Sequence, residues 1–334
     1  MDGARAFQGR ARQPFDQEIS VSLPNESRAF APGSIGNLAC GFDVLGLALE
    51  GPGDEVLARR IPEPELRISA IHGDGGRLSS EVGKNTAGAA VRALLTDSGI
   101  KVGVELEIHK GLALAGGLGG SAASAVAAVV AVNDLLGTGL DGDTLLEYAL
   151  VGETEAAGAP SPDNAAPSLL GGLVLVPSWK PLRTIELEVP KELWAVHVHP
   201  HMEVETEGAR RVLGAKVDLK DAIAQWGNTA ALVAGLFRRD WELISRSVED
   251  RVAEPIRAQA VPGFGAVKDA ALNAGALAAS LSGSGPSLFA LCRGRDRAEI
   301  VGERMVAAFR GSAGLNSDLL ISTGRAPGAR IVSP

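Results

Sequence analysis

Aromatic residues are scarce in this chain: Phe, Trp and Tyr together make up 4% of its 334 residues, against 42 glycines. Its core must therefore be filled by Ala, Val and Leu. Cysteine is almost missing, since Cys40 and Cys292 are the only two. That excludes a zinc site built on thiolates and fits a reducing compartment, here the cytoplasm. Basic charge is in deficit. The formal charge of −8 argues against a nucleic-acid partner, whose binding rests on positive patches. No apolar run approaches the roughly eighteen residues of a membrane span. Near the start, Arg5, Arg10 and Arg12 are accompanied by Asp2 and Asp16 with no apolar stretch between. This fits neither a signal nor a transit peptide, so 1–17 is expected to be a disordered tail. Finally, the string Gly-x-x-x-x-Gly-Lys-Ser/Thr occurs nowhere, which excludes the P-loop nucleotide hydrolases.

Apolar residues at 46% and charged ones at 22% suit a globular protein. At about 150 residues per domain, the length allows two. In Val104-Glu105-Leu106-Glu107-Ile108-His109-Lys110 the apolar residues fall on every second position, the period of a half-buried strand. A loop containing Gly111, Gly116, Gly117, Gly119 and Gly120 follows, and then an Ala- and Val-rich helix from about Ser121 to Leu136. A glycine-rich turn opening a helix leaves backbone N–H groups free at the positive end of the helix dipole. Such a place holds a phosphate, and glycine lets it come close. Gly117 to Ala122 also satisfies Gly-x-Gly-x-x-Ala, but a dinucleotide fold needs an apolar parallel strand before it and an acidic strand end after it. Neither is present.

Gly117-Leu118-Gly119-Gly120-Ser121-Ala122-Ala123 resembles the second motif of the GHMP kinases, with Leu114 in place of the usual Pro and Gly120 in place of the first Ser. The stretch from Ala31 to Gly46 is similar to the first motif in its homoserine-kinase form. Ser280 to Ala290 resembles the third. Three motifs in family order, over residues from about 28 to the end, identify the chain as a member. The resemblance implies an α+β, two-domain GHMP kinase fold: a unit like the second domain of ribosomal protein S5 over 18–180, then a ferredoxin-like unit over 181–334. It implies ATP and Mg²⁺ as cofactors and L-homoserine as acceptor, with another GHMP acceptor (mevalonate or a sugar) or a non-catalytic sensor as the rival readings. A homodimer is compatible with the sequence.

Residue by residue, the resemblance puts ATP on Gly116, Gly117, Leu118, Gly119, Gly120, Ser121 and Ala122, with Asn85 and Lys110 at the adenine. From the residues alone, Asn85 could equally be a helix cap and Lys110 a solvated strand end. Ser121 and Glu153 would hold Mg²⁺, although a lone helical Glu is ordinarily exposed. Asn37 and Asp43 would meet the amino group of the acceptor, while Thr206, Arg210 and Arg257 would surround its carboxylate. Gly158 to Gly172 is similar to a further family segment, with Ser161 where a His is usual. There Asn164 would orient the hydroxyl, and Asp163 is the nearest carboxylate for its proton. Each cysteine reads as a small buried apolar group; Cys40 lies in the first motif, where alkylation would bear on the acceptor.

The remaining pattern supplies a scaffold. Strands are expected at 18–23, 27–31 and 66–71, then a turn at Pro32-Gly33-Ser34 and an irregular stretch over 36–46. Helices are expected over 85–95, 145–157, 221–237, 241–248, 267–277 and 296–309, and strands near 281, 288, 319 and 330. Leu173 to Val176 reads as the crossing between domains. His197, His199 and His201 share a strand face, but Pro200 breaks the strand and no further ligand completes a zinc set.

Overall fold

A computed structural model describes residues 24–204, 206–214 and 216–332. The expected tail over 1–17 and strand over 18–23 lie outside the described residues. The first unit runs β1 (Glu26–Gly36), β2 (Leu45–Ile61), β3 (Leu66–His72), α1 (Thr86–Asp97), β4 (Gly103–His109), α2 (Gly120–Leu136), α3 (Gly142–Ala157), α4 (Pro162–Leu170), β5 (Leu173–Trp179) and β6 (Leu182–Leu187). The second runs β7 (Leu193–Pro200), α5 (Thr206–Arg211), α6 (Leu219–Arg238), α7 (Trp241–Ser247), α8 (Glu254–Arg257), α9 (Phe264–Asn273), β8 (Ala278–Leu281), β9 (Leu288–Arg293), α10 (Arg295–Ala313) and β10 (Ser317–Thr323). A last strand, β11 (Arg330–Val332), returns to pair with β1.

The first sheet has seven strands: β11-β1-β2-β4-β3, with β5 and β6 continuing from the other end of β2. Its helix layer explains the missing aromatics. α2 buries Ala122, Ala123, Ala125, Val126, Ala127, Ala128 and Val129 within its first turns, because it lies between β1–β2 on one side and α1, α3 and α4 on the other. Small side chains let backbones approach. At Gly152 of α3 a Cβ would sit 2.4 Å from the carbonyl oxygen of Thr86 at the start of α1, so only glycine lets those helices touch.

In the second sheet the order β10-β7-β9-β8 is antiparallel throughout. With helices between β7 and β8 and between β9 and β10, this is the β-α-β-β-α-β ferredoxin-like arrangement. Alternation along β9 divides its faces: Leu288, Ala290 and Cys292 pack with Val267, Val301, Met305 and Phe309, whereas Phe289 and Leu291 join the core of the first unit. The two units therefore share buried apolar surface. Among the described residues no helix is long and apolar enough to cross a membrane.

Two sequence expectations need correction, and two elements had none. The expected turn at Pro32-Gly33-Ser34 is a bulge within continuous β1, where pairing jumps from Pro32–Gly53 to Ser34–Ala48. The 17-residue β2 escaped notice because Gly51-Pro52-Gly53 interrupts its apolar pattern. Leu173 to Val176 is not a crossing but a strand of the first sheet, and the 180/181 boundary falls inside the β5–β6 hairpin. No element is expected over 162–170, yet α4 forms there, with Pro162 in the first helical turn, where a missing N–H costs nothing.

Candidate active site

The glycine-rich loop is held from behind through its carbonyls. Ser287 Oγ donates to Gly116 O at 2.5 Å and Ser282 Oγ to Gly117 O at 2.7 Å. Ser34 N donates to Leu118 O at 3.0 Å, and Lys110 Nζ to Gly120 O at 2.8 Å. In a trans peptide the N–H points opposite to the C=O of the same plane. Pinning these four carbonyls therefore turns the N–H groups of Gly117, Leu118, Gly119 and Ser121 the other way. Among the described hydrogen bonds none is donated by a backbone N–H from Gly117 to Ser121. The amides converge at the start of α2, an anion-binding nest on a helix dipole.

Gly119 has φ +66°, and a Cβ there would lie 2.6 Å from Ser34 Oγ and 2.7 Å from Asn164 Oδ1. Gly120 is different, since its Cβ would meet nothing nearer than 3.5 Å. Gly119→Ala is thus expected to destabilise the fold by about 1–3 kcal/mol and to weaken ATP binding at least about tenfold, while Gly120→Ser is expected to be tolerated. Thermal unfolding with nucleotide titration checks both, and equal behaviour of the two variants would contradict this account of the loop.

Lys110 is not available to a nucleotide. Its ammonium is buried, paired with Asp54 and bonded to Ser124 Oγ at 2.8 Å as well as to Gly120 O. Asp54 in turn accepts from Gly111 N at 3.1 Å, Leu112 N at 3.2 Å and Ser124 Oγ at 2.6 Å. All three ammonium protons are spent on fixing the loop between β4, β2 and α2. Asn85 is likewise a cap: it accepts from Ala87 N and Gly88 N and donates to Ser79 O at 3.0 Å.

Across the loop, Ser121 Oγ donates to Glu153 Oε2 at 3.3 Å. Glu153 is 1% exposed, and its Oε1 has no hydrogen-bond partner. Burial pushes its carboxyl up to about 7, with the hydroxyls of Ser121 and Ser161 and the charge of Lys110 pulling the other way. A buried carboxylate oxygen without a donor, beside a serine hydroxyl at a phosphate nest, suits a hard divalent cation. The donor set fits Mg²⁺.

On α4, Asp163 is 3% exposed and accepts from Asn37 N at 2.9 Å. Burial, then the nearby charge of Asp43, raise it to about 7. Asn164 Oδ1 accepts from Ser34 Oγ at 3.1 Å. A Cβ on Gly36 would sit 2.6 Å from both Asp163 Oδ2 and Asn164 Nδ2, so the glycines of the first motif let α4 lie on β1.

Beyond Gly36 the backbone turns left-handed at Asn37, Leu38, Ala39 and Asp43. Asn37 closes this turn by accepting from Asp43 N at 3.0 Å and reaches the third motif by donating to Gly283 O at 3.0 Å. Its amide thus braces the loop rather than standing open for a ligand. Asp43 is paired with Arg210 of α5. Arg257, 7% exposed, donates to Gly283 O at 3.1 Å and lies 5.3 Å over the Phe42 ring. Desolvation depresses the Arg257 guanidinium and raises the Asp43 carboxyl, while each charge opposes the shift of the other. One carboxylate and two guanidinium groups thus meet beside Asp163. The Thr206 side chain lies outside the described residues.

A family model, GHMP kinases N terminal domain, matches residues 85–172, and GHMP kinases C terminal matches residues 232–311. The chain belongs to the GHMP kinases. It is 45% identical over 313 residues to the homoserine kinase of Chloroherpeton thalassium, covering 91% of this chain and 98% of that one. With the homoserine kinase of Xylella fastidiosa it shares 42% identity over 325 residues, 97% and 99% of the two chains. The crystal structure of homoserine kinase from Cytophaga hutchinsonii superposes with a TM-score of 0.90 at 45% identity, over 93% of this chain and 99% of that one. The L. major mevalonate kinase complex with R-mevalonate, 16% identical with a TM-score of 0.68 over 91% and 97%, shares the fold. As a GHMP kinase the chain takes ATP and a small-molecule acceptor.

One support of this GHMP kinase site, Asp54, had no sequence signal of its own, because it sits in the strand that glycines obscured. Ser34, Ser282, Gly283 and Ser287 lie in the first and third motifs, but the hydrogen bonds through which they act are created only by the fold. Cys40 is the small apolar group that the sequence led one to expect. It is buried and its thiol is pushed up to about 12 by burial, so native alkylation is disfavoured. His197 is buried and held low, about 3, whereas His199 bonds Ser287 Oγ at 3.0 Å and His201 pairs with Asp318. Among the described residues, the group with metal-ligand spacing is His72, Glu107 and His109, where Arg59 already holds Glu107 at 2.9 Å. That cluster belongs to the charged outer face of the first sheet.

Proposed function

We propose that this GHMP kinase transfers the γ-phosphoryl group of ATP to the side-chain hydroxyl of L-homoserine, giving O-phospho-L-homoserine and ADP. The observation that carries this reading is the meeting of Asp43, Arg210 and Arg257 next to Asp163. An α-amino acid is a zwitterion: its ammonium suits Asp43 and its carboxylate suits two guanidinium groups, which bind it by paired, charge-assisted hydrogen bonds. Mevalonate and sugars lack the ammonium. The curated relatives at 45% identity bear the name homoserine kinase, which supports the same choice.

In this reading the exposed amides of Gly117 to Ser121 bind the triphosphate, and Ser121 with Glu153 holds Mg²⁺. When bound, the ion neutralises phosphate charge. Phosphoryl transfer leaves the protein mainly to align reactants. Asn164, fixed by Ser34, orients the acceptor hydroxyl, and Asp163 takes its proton, since a carboxylate near 7 is half ionised at working pH. Its need for ATP makes the cytoplasm the expected site of action.

Release of ADP with L-homoserine, mevalonate, galactose and no acceptor, each with Mg²⁺ and with EDTA, tests the proposal. Turnover with homoserine that EDTA abolishes is the expected result. Turnover with mevalonate alone would transfer the chain to another GHMP activity, and silence with every acceptor would favour a sensor.

A further inference from the structure

On the outer face of the first sheet, away from the kinase site, two imidazoles and a carboxylate meet at the ends of β3 and β4. A bulge makes this possible. In this parallel pair Ile68 lies beside Leu106, and the register then shifts so that Ala70 meets Glu107 and His72 meets His109. Without the shift His72 would fall opposite Lys110 and turn toward the helix layer. The extra residue, Ser69, brings it to the outer face. Glu107, two residues before His109, shares that face. Both strand ends are fixed. Lys110 N donates to His72 O at 2.8 Å, and at Gly73, with φ +82°, a Cβ would lie 2.3 Å from Lys110 O.

Both rings aim at one atom. His109 Nε2 lies 3.0 Å and His72 Nε2 3.3 Å from Glu107 Oε1, and the ring centroids are 4.7 Å apart. All three donor atoms lie within 4.8 Å of one another. Around an ion bonded at about 2.0–2.2 Å, neighbouring donors stand roughly 3–3.5 Å apart, so only a small closure is needed. The second oxygen of Glu107 accepts from Arg59 at 2.9 Å, and Arg59 Nε is held by Glu26 at 3.1 Å. Such an outer contact orients a ligating carboxylate and leaves Oε1 to the imidazoles. Glu55 and Glu105 nearby are already paired with Arg28 and Arg67. We propose that His72, Glu107 and His109 bind Zn²⁺ or another borderline divalent ion such as Co²⁺ or Ni²⁺, stapling β3 to β4 at the root of the glycine loop. His72 is exposed, so a further position on the ion opens to water. Two imidazoles select this class of ion, whereas Mg²⁺ takes oxygen ligands and belongs to Ser121 and Glu153.

Isothermal titration calorimetry of the full, untagged chain with Zn²⁺ at neutral pH tests the site. Binding of a single ion per chain in the micromolar range is expected, undisturbed by excess Mg²⁺ and retained in Glu153→Gln, and it should raise the unfolding temperature. His72→Gln and His109→Gln should each weaken binding at least about tenfold and erase most of the thermal gain, with circular dichroism unchanged. Bound Co²⁺ should give visible absorption that either substitution diminishes. A chain that takes up no Zn²⁺ would overturn the proposal. So would binding that survives both histidine substitutions, which would place an adventitious ion elsewhere, or binding lost to Mg²⁺ or to Glu153→Gln, which would place it in the kinase site.

Discussion

Glu153→Gln is expected to lower ATP-dependent phosphorylation by about a hundredfold to a thousandfold and, above pH 7, to make the protein more stable. The two effects have one cause. Glu153 is buried with a carboxylate oxygen that no donor satisfies, and its carboxyl titrates near 7 instead of near 4.5. A folded-state value above the unfolded one means that the native protein holds the proton more tightly. The stabilising contribution is complete below about 4.5 and is lost as pH rises through about 7. Glutamine does not ionise, so the variant escapes that loss, by an amount of order 1–3 kcal/mol. Asp163 keeps its own raised value near 7 in the variant, so a residual pH slope should persist there. Added Mg²⁺ should raise the unfolding temperature of the wild type above pH 7 and leave the variant unmoved, because only the ionised carboxylate attracts the cation. Differential scanning fluorimetry over pH, with and without Mg²⁺, and ADP release are the measurements. A variant within threefold of wild-type rate, or one less stable above pH 7, would remove Glu153 from the metal site.

What was legible in the sequence was whatever depends on local pattern. β4, the glycine loop and α2 declared themselves by a period of two, a run of glycines and an Ala-Val helix, and the structure places them where expected. Asn85 as a cap was readable because capping involves only the next three residues. What could not be read were properties conferred by distant partners. Glu153 looks like any helical glutamate until Gly152 is seen to press α3 onto α1. Lys110 looks solvated until Asp54, 56 residues earlier, is found beneath it. Asn37 and Asp43 stand out in the motif, but their partners here, Gly283 and Arg210, come from the second unit. Burial and pairing at a site between two units are long-range facts, and no window of sequence contains them.

Arg210→Met should raise the KM for L-homoserine by about a hundredfold or more while leaving the KM for ATP within about threefold. Arg210 is the cleaner probe of the acceptor pocket. Arg257 is 7% exposed beside Asp43 and Gly283, so its removal would leave buried groups without a partner and confound binding with folding. The Arg210 side chain is 39% exposed, and a pair open to this extent adds only about 1 kcal/mol or less to stability. The defect should depend on the acceptor: for the amino alcohol that lacks only the carboxylate of homoserine, wild type and variant should perform equally poorly. It should also depend on pH. Burial already raises the Asp43 carboxyl, and Arg210 is the first charge opposing that rise. Without Arg210 the carboxyl moves higher still, and a protonated Asp43 cannot attract the ammonium. The KM of the variant should therefore fall more steeply with rising pH than that of the wild type. A KM penalty equally large for the amino alcohol, or one flat with pH, would show that Arg210 shapes the pocket without touching the carboxylate, and the reading of Asp43 and Arg210 as the two poles of an amino-acid site would fall with it.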